Sequence, residues 1–327
     1  MRTASQLLTL INNGLQKLGF YRKPFGLYDP VKYELSLGGK RVRPVLMLMA
    51  YELYRDDVER ILPTALGLEM YHNYTLLHDD VMDKADLRRG KPTVHKVWDE
   101  NTAILSGDTM LVLAYQLMQK AEPENLKAVL DLFTGTALEI GEGQQYDMDF
   151  EQRMDVREEE YIEMIRLKTS VLLACAVKMG ALQAGAPEAD LKFLYRFGER
   201  LGLAFQLQDD LLDVYGDPKT FGKKTGGDIL EGKKTFLLIN ALHRSTEEQR
   251  AILERWLDTP ANTPADEARK VEAVTNLYNQ IGVRKLTEEK IKYFFDTAFI
   301  SLDAVDVPEE RKQTLRNLAL SLFDRKS

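Results

Sequence analysis

Cysteine is almost absent: Cys175 is the only one in 327 residues, so no disulfide framework can form within the chain, and a reducing compartment is the simpler setting. Histidine is scarce too. The four residues His72, His78, His95 and His243 form no His-Glu-x-x-His helix, which removes a zinc hydrolase. No Gly-x4-Gly-Lys-Ser/Thr or Gly-x-Gly-x-x-Gly spacing occurs, so nucleotide binding has no support. Apolar runs of about 18 residues, long enough to span a membrane, are missing, and the N-terminus lacks the apolar region of a secretory signal. A soluble, cytoplasmic protein is expected. There is no surplus of base either: the net charge is −7, opposite to the footprint of a nucleic-acid binder.

Strand-like alternation of Val, Ile and Thr is lacking, and there are only 11 prolines, whereas Leu, Ala, Glu, Lys and Met abound. The chain therefore reads as all-α. Apolar periodicity of 3.6 residues predicts helices near 2–19, 30–55, 58–83, 92–120, 124–147, 156–183, 188–215, 234–257, 265–281, 287–304 and 308–324. Capping-box spacings, Asp155 with Glu158 and Ser245 with Glu248, mark helix starts, as do Pro187 and Pro308; Gly180, Gly185 and Gly216 mark stops. No Pro/Gly/Ser linker and no short repeat divides the chain, so residues 1–327 are expected to form one domain.

Two Asp-Asp-x-x-Asp clusters stand out. In Leu66–Asp83 an apolar stripe of Leu66, Met70, Tyr74, Leu77 and Val81 runs beside a face carrying His72, Asp79 and Asp83. Asp79 and Asp83 are one turn apart, so their carboxylates converge. Leu201, Leu203, Phe205 and Leu207 lead likewise into Asp209, Asp210 and Asp213, with Gln206 on the same stripe. Like charges at i,i+4 cost roughly 0.2–0.5 kcal/mol, and acids at a helix C-terminus oppose its dipole by about 0.3–1 kcal/mol. A divalent cation offsets both. Carboxylate oxygens that leave room for water and phosphate suit Mg²⁺. A calcium loop is ruled out, because Asp79–Gly90 lacks the alternating ligands, the sixth-position glycine and the terminal Glu.

Phosphate-binding basic groups accompany the acids: Lys40, Arg41 and Arg43 after Gly38-Gly39, then Arg88-Arg89-Gly90-Lys91, Lys168-Thr169, Lys223 and Lys233. Taken singly, each is an ordinary surface charge. The stretch Asp217–Asp228 concentrates Gly and Lys directly after the second cluster, a composition suited to a loop that orders on an anion.

In order and spacing, Gly39-Lys40-x-x-Arg43-Pro44, His72, Asp79-Asp80-Val81-Met82-Asp83, Arg88-Arg89-Gly90, Lys168-Thr169 and Gln206-Leu207-Gln208-Asp209-Asp210-Leu211-Leu212-Asp213 resemble the trans-isoprenyl diphosphate synthases, the polyprenyl synthetases. The resemblance implies an all-α single bundle around a central active-site cavity, usually a homodimer. It also implies condensation of isopentenyl diphosphate with dimethylallyl, geranyl or farnesyl diphosphate. Asp79 and Asp83 would then hold two Mg²⁺ ions and Asp209 a third, with Asp80 and Asp213 as supporting acids. Arg88, Lys168, Lys223 and Lys233 would neutralise the allylic diphosphate, with Thr169 and Gln206 near the reacting end. Lys40, Arg43, His72 and Arg89 would hold the diphosphate of isopentenyl diphosphate.

Product length would be set below the first cluster. Tyr74 lies five residues before Asp79, roughly 7.5 Å down a helix, with Thr75 and Tyr71 beside it. An aromatic there resembles the short-chain members, especially geranylgeranyl synthases, while farnesyl diphosphate or a longer-chain product stays open. The nearest rival, a terpene cyclase, normally carries an Asn/Asp-Ser/Thr-Glu-like second motif, and Lys40 and Arg43 would have no second substrate to hold. A non-catalytic relative would be expected to lose an aspartate or Arg88-Arg89, and all are present. Arg325 and Lys326 read as a frayed terminus.

Overall fold

The computed structural model describes residues 1–217 and 225–323. It is all-α, as expected, apart from one two-stranded ribbon, and it divides into two compact units. The first comprises Met1–Thr134, Cys175–Leu194 and Asp306–Leu315; the second comprises Gly135–Ala174, Tyr195–Val305 and Arg316–Ser327. Where one domain is expected over 1–327, the contacts cluster into two units, and every boundary between them but Val305/Asp306 falls inside a helix.

In the first unit, α1 (Ala4–Lys17), α2 (Phe25–Ser36) and α3 (Val42–Glu52) pack against α4 (Leu62–Met82), which lies along α6 (Glu100–Met118). Gly67 permits that approach, since a Cβ there would stand 3.0 Å from Leu117 Cβ and 3.1 Å from Ala114 O. The helix expected over 30–55 is two helices. Gly38 and Gly39 take φ of 85° and 125°, and Arg41 enters α3 at φ 48°, conformations no helix can continue through. The expected 92–120 segment also divides. Leu87–Arg88 (β1) pairs antiparallel with Lys91–Pro92 (β2), followed by α5 (Val94–Val97) and then α6. The ribbon was missed because it is only two residues long. Its Arg89-Gly90 loop has positive φ at both residues, 53° and 75°, as a tight hairpin turn requires.

The remaining helices are α7 (Pro123–Glu151), α8 (Glu158–Ile165), α9 (Val171–Gln183), α10 (Glu188–Tyr215), α11 (Gly227–Glu231), α12 (Phe236–Arg244), α13 (Glu247–Asp258), α14 (Pro264–Ile281), α15 (Val283–Asp303) and α16 (Glu309–Phe323). A π-turn, Arg166–Ser170, joins α8 to α9. The expected 234–257 helix is therefore α12 and α13, and α11 was missed. Starts move slightly. Arg157, with Glu160, begins α8 in place of Asp155, and Thr246 with Gln249 caps α13 in place of Ser245. Gly180 is no stop: a Cβ would meet Met47 O at 2.0 Å, so this glycine serves helix contact. Gly185 (φ 83°) and Gly216 do terminate helices.

The second unit has two apolar clusters, one around Tyr161, Ile165, Leu203, Leu207, Phe236 and Phe294, the other around Leu237, Leu253, Val274 and Tyr278. Each fully buried Leu, Val or Phe contributes about 1.5–3 kcal/mol, so α10 is held firmly where it carries its acids.

Candidate active site

Within the first unit α4 ends in the first acidic cluster. Asp83 is its C-cap and its N–H donates to Asp79 O at 2.8 Å, so the two outer carboxylates follow one turn. The middle acid points elsewhere. Asp80 is buried and takes a two-pronged bond from Arg88, Nε to Oδ2 and Nη2 to Oδ1, both 2.7 Å. Arg88 Nη2 also stands 4.0 Å from Asp79. Burial drives the Asp80 carboxyl up while Arg88 pulls it down, and the net direction is upward.

Beside them, Arg43 Nη1 meets His72 Nε2 at 3.0 Å. Guanidinium only donates, so Nε2 must carry the lone pair. Burial, then Arg43, Arg89 and Arg88, hold His72 neutral, well below its ordinary range. Arg89 Nη1 donates to Gly38 O, and its guanidinium lies over Gly39, where a Cβ would be 2.8 Å from Cζ. Lys40 is exposed next to it. Lys40, Arg43, His72 and Arg89 thus come from three chain segments of one unit.

Sequence reasoning missed what holds that corner. Arg41 is buried, with Nη1 2.7 Å from Glu69 Oε1 and Nη2 2.6 Å from Leu35 O; Asn73 Nδ2 donates to the same Glu69 oxygen at 3.0 Å. The available signal was Glu69 itself, a lone charge inside the apolar run Ala65–Tyr71, which must find a partner. Non-glycine residues at positive φ cost about 1–2 kcal/mol, and both Arg41 and Arg89 are of that kind. The buried ion pair and the Gly38 carbonyl hold them there.

Below the cluster, His78, Tyr74, Tyr71, Phe133 and Tyr115 form a chain of ring contacts, with centroids 4.8, 5.4, 5.1 and 4.9 Å apart in turn. Tyr71 is buried and Tyr74 half-buried; Thr75 is tied by its hydroxyl to His72 O at 2.8 Å. Gly107 of α6 leaves room for His78, since a Cβ would lie 2.2 Å from its Nε2.

In the second unit α10 repeats the arrangement. Asp210, the middle acid, is buried, accepting from Tyr161 Oη and from Gln206 Nε2 at 3.0 Å. Burial raises its carboxyl above the usual range in spite of those bonds. Thr169 Oγ1 donates to Gln206 Oε1 at 3.1 Å, bringing these two expected partners together. Lys168 Nζ lies 2.6 Å from Asp147 Oδ2, another acid that sequence reasoning missed. Burial opposes the ionisation of Asp147, but Lys168 and then Lys233 prevail and hold its carboxyl below the ordinary value. Asp213 accepts from Asp228 N at 3.0 Å and its carbonyl from Gly226 N at 2.6 Å, fastening the start of α11. Lys233 is exposed just beyond. Lys223, Arg325 and Lys326 lie outside the described residues.

Both clusters thus tie back the middle acid and carry the flanking acids one turn apart. Among the described residues, no three Asp, Glu, His or Cys side chains gather into a complete metal cage. An all-oxygen donor set of this incomplete kind fits Mg²⁺, which retains water and shares substrate phosphates. Among the same residues, no helix is long and apolar enough to cross a membrane.

The chain is similar to known proteins. A short chain isoprenyl diphosphate synthase of Methanocaldococcus jannaschii is 42% identical over 261 residues, 79% of this chain and 78% of that protein. A geranylfarnesyl diphosphate synthase of Natronomonas pharaonis is 33% identical over 97% of this chain and 95% of its own length. A crystal structure of a geranylgeranyl pyrophosphate synthase matches with a TM-score of 0.95 and 44% identity, covering 100% of both chains. The polyprenyl synthetase profile matches residues 26–277, a span that holds both acidic clusters and every basic group described around them, and the chain belongs to the polyprenyl synthetase family.

Proposed function

We propose that the chain is a Mg²⁺-dependent trans-prenyltransferase that joins isopentenyl diphosphate head-to-tail to dimethylallyl, geranyl and farnesyl diphosphates, with geranylgeranyl diphosphate as its main product. It works as one polyprenyl synthetase domain over 1–327, in the cytoplasm and as a homodimer. The observation that carries the reading is the repeated acidic cluster: Arg88 restrains Asp80, Tyr161 and Gln206 restrain Asp210, and the flanking carboxylates follow one helical turn. A lone buried Cys175 suits the reducing compartment.

In this reading Asp79 and Asp83 would hold two Mg²⁺ ions and Asp209 a third, with Asp80 and Asp213 keeping the clusters in shape. Bound Mg²⁺ supplies Lewis-acid stabilisation of the leaving diphosphate. Arg88, Lys168, Lys223 and Lys233 add positive charge where negative charge develops as the allylic C–O bond ionises. Thr169 and Gln206, already bonded to each other, sit at the reacting end. Lys40, Arg43 and Arg89 take the diphosphate of isopentenyl diphosphate. Neutral His72 accepts from Arg43, which fixes the guanidinium fork. The double bond of isopentenyl diphosphate captures the allylic cation, and the released diphosphate takes the final proton. The ring chain from His78 to Tyr115 limits growth of the tail.

Purified protein, Mg²⁺ and isopentenyl diphosphate are incubated with each allylic diphosphate in turn, and products are separated by chromatography. Geranylgeranyl diphosphate is expected from all three. Asp79→Asn and Asp209→Asn should each lose most turnover at unchanged helix content. Near-wild-type rates in either variant contradict the metal roles, and no prenyl product from the wild type rejects the reading.

A further inference from the structure

Glu34 has no role in the chemistry just described, yet it occupies the corner where isopentenyl diphosphate is proposed to bind. It sits on α2 with no exposed surface, and neither carboxylate oxygen has a hydrogen-bond partner among the described residues. A buried carboxylate in that position is costly unless it is neutral or faces cations. Three cations do face it. Arg41 comes from the N-cap of α3, and Arg88 and Arg89 from the ribbon; opposed to them, Asp80 comes from α4. α5 brings buried His95 beside Asp80, and α6 meets α2 through Ser106, whose hydroxyl donates to Leu27 O at 3.1 Å.

The arginines are not equivalent. Arg41 is matched by Glu69 and Arg88 by Asp80, each at 2.7 Å. Arg89 bonds the Gly38 carbonyl, a neutral acceptor, and Glu34 is the acid that raises its pKa most. An ionised Glu34 therefore cancels the field of the arginine meant for the diphosphate. A protonated one leaves that field to the substrate.

We infer that Glu34 is a positioning residue that sets the charge of the isopentenyl diphosphate subsite, being protonated whenever the diphosphate is held, so that binding takes up a proton at this carboxyl. The inference rests on the substrate assignment made above. Burial foremost, then Asp80, pushes the Glu34 carboxyl up to about 7 against the pull of Arg88, Arg89 and Arg41. A diphosphate on Arg89 opposes that pull and adds negative charge, which favours the protonated form further. Above pH 7 the free protein must therefore bind a proton along with the substrate, and affinity falls by up to about tenfold per pH unit.

The test is the KM for isopentenyl diphosphate, at saturating allylic diphosphate, from pH 6 to 9 in the full-length wild type and Glu34→Gln. Titration of the substrate itself cancels in the ratio of the two. The wild-type to variant ratio of KM should climb between pH 7 and 9, while the kcat ratio and the KM ratio for the allylic substrate stay level with pH. Calorimetry with isopentenyl diphosphate at pH 8, in buffers of differing ionisation enthalpy, should show greater proton uptake by the wild type. Glu34→Ala provides the same comparison if the Gln variant does not fold. A flat KM ratio with equal proton uptake overturns the role of Glu34 while leaving the enzyme reading intact. No binding of isopentenyl diphosphate to either protein overturns both.

Discussion

Tyr74 shows how one side chain acquires two duties. Its ring touches Tyr71 on one side and His78 on the other, so it packs as a core residue does, yet it remains half-buried one and a half turns below Asp79. Tyr71, fully enclosed and braced by Phe133, has little freedom to do the same. Tyr74→Ala should therefore remove the first barrier and shift the main product beyond geranylgeranyl diphosphate, checked by chromatography of the dephosphorylated prenols; an unchanged spectrum would place the barrier elsewhere. The loss of a large buried aromatic costs about 3–5 kcal/mol in a sealed core, and less at a half-open position, so the variant should still fold. Residues of this kind were legible because spacing alone puts them one or more turns from Asp79. The partners of Asp147 and Arg41, 21 and 28 positions away, were not legible, nor was the meeting of Glu34 with Asp80, Arg88 and Arg89, because no local pattern names a partner on another segment.

At the scale of elements the long apolar periodicities of α10 and α14 were read to within one residue, and α7 runs on to Glu151 past its expected end at 147, whereas breaks inside predicted helices were not read. Periodicity passes straight through Gly38-Gly39, and only the positive φ values of Gly39 and Arg41 reveal the turn that presents Lys40. The π-turn Arg166–Ser170 is a comparable case, hidden inside a continuous 156–183 pattern. It brings Lys168 to Asp147 and Thr169 to Gln206, and it is pressed against α7 at Gly143, where a Cβ would stand 2.3 Å from Lys168 N. Backbone cannot yield as a flexible side chain does. Gly143→Ala should thus cost about 1–3 kcal/mol through overpacking and lower kcat by about tenfold or more as Lys168 and Thr169 are displaced. Urea unfolding and steady-state rates measure the two effects. Wild-type kcat in a destabilised variant would show that the π-turn's position is irrelevant to turnover.

For the molecule as a whole, a net charge of −7 opposes non-specific association without preventing self-association through an apolar surface. α6 has such a surface. Ile104, Leu105 and Val112 are 44%, 59% and 67% exposed and share one face with Asn101, Asp108 and Gln116, on the side opposite buried Ala103, Met110 and Ala114. Large aliphatic side chains gathered on one helix face mark association more often than chance exposure. A two-fold homodimer sets each such patch against its own copy, so a charge placed there is doubled against itself. Leu105→Glu combined with Val112→Glu should leave the fold intact, because both side chains are exposed in the isolated chain, and should convert the proposed homodimer to a monomer in sedimentation velocity at micromolar concentration. The wild type sedimenting at the mass of a single chain would refute the dimer itself. A double variant that still sediments as a dimer would move the interface to another face of the protein.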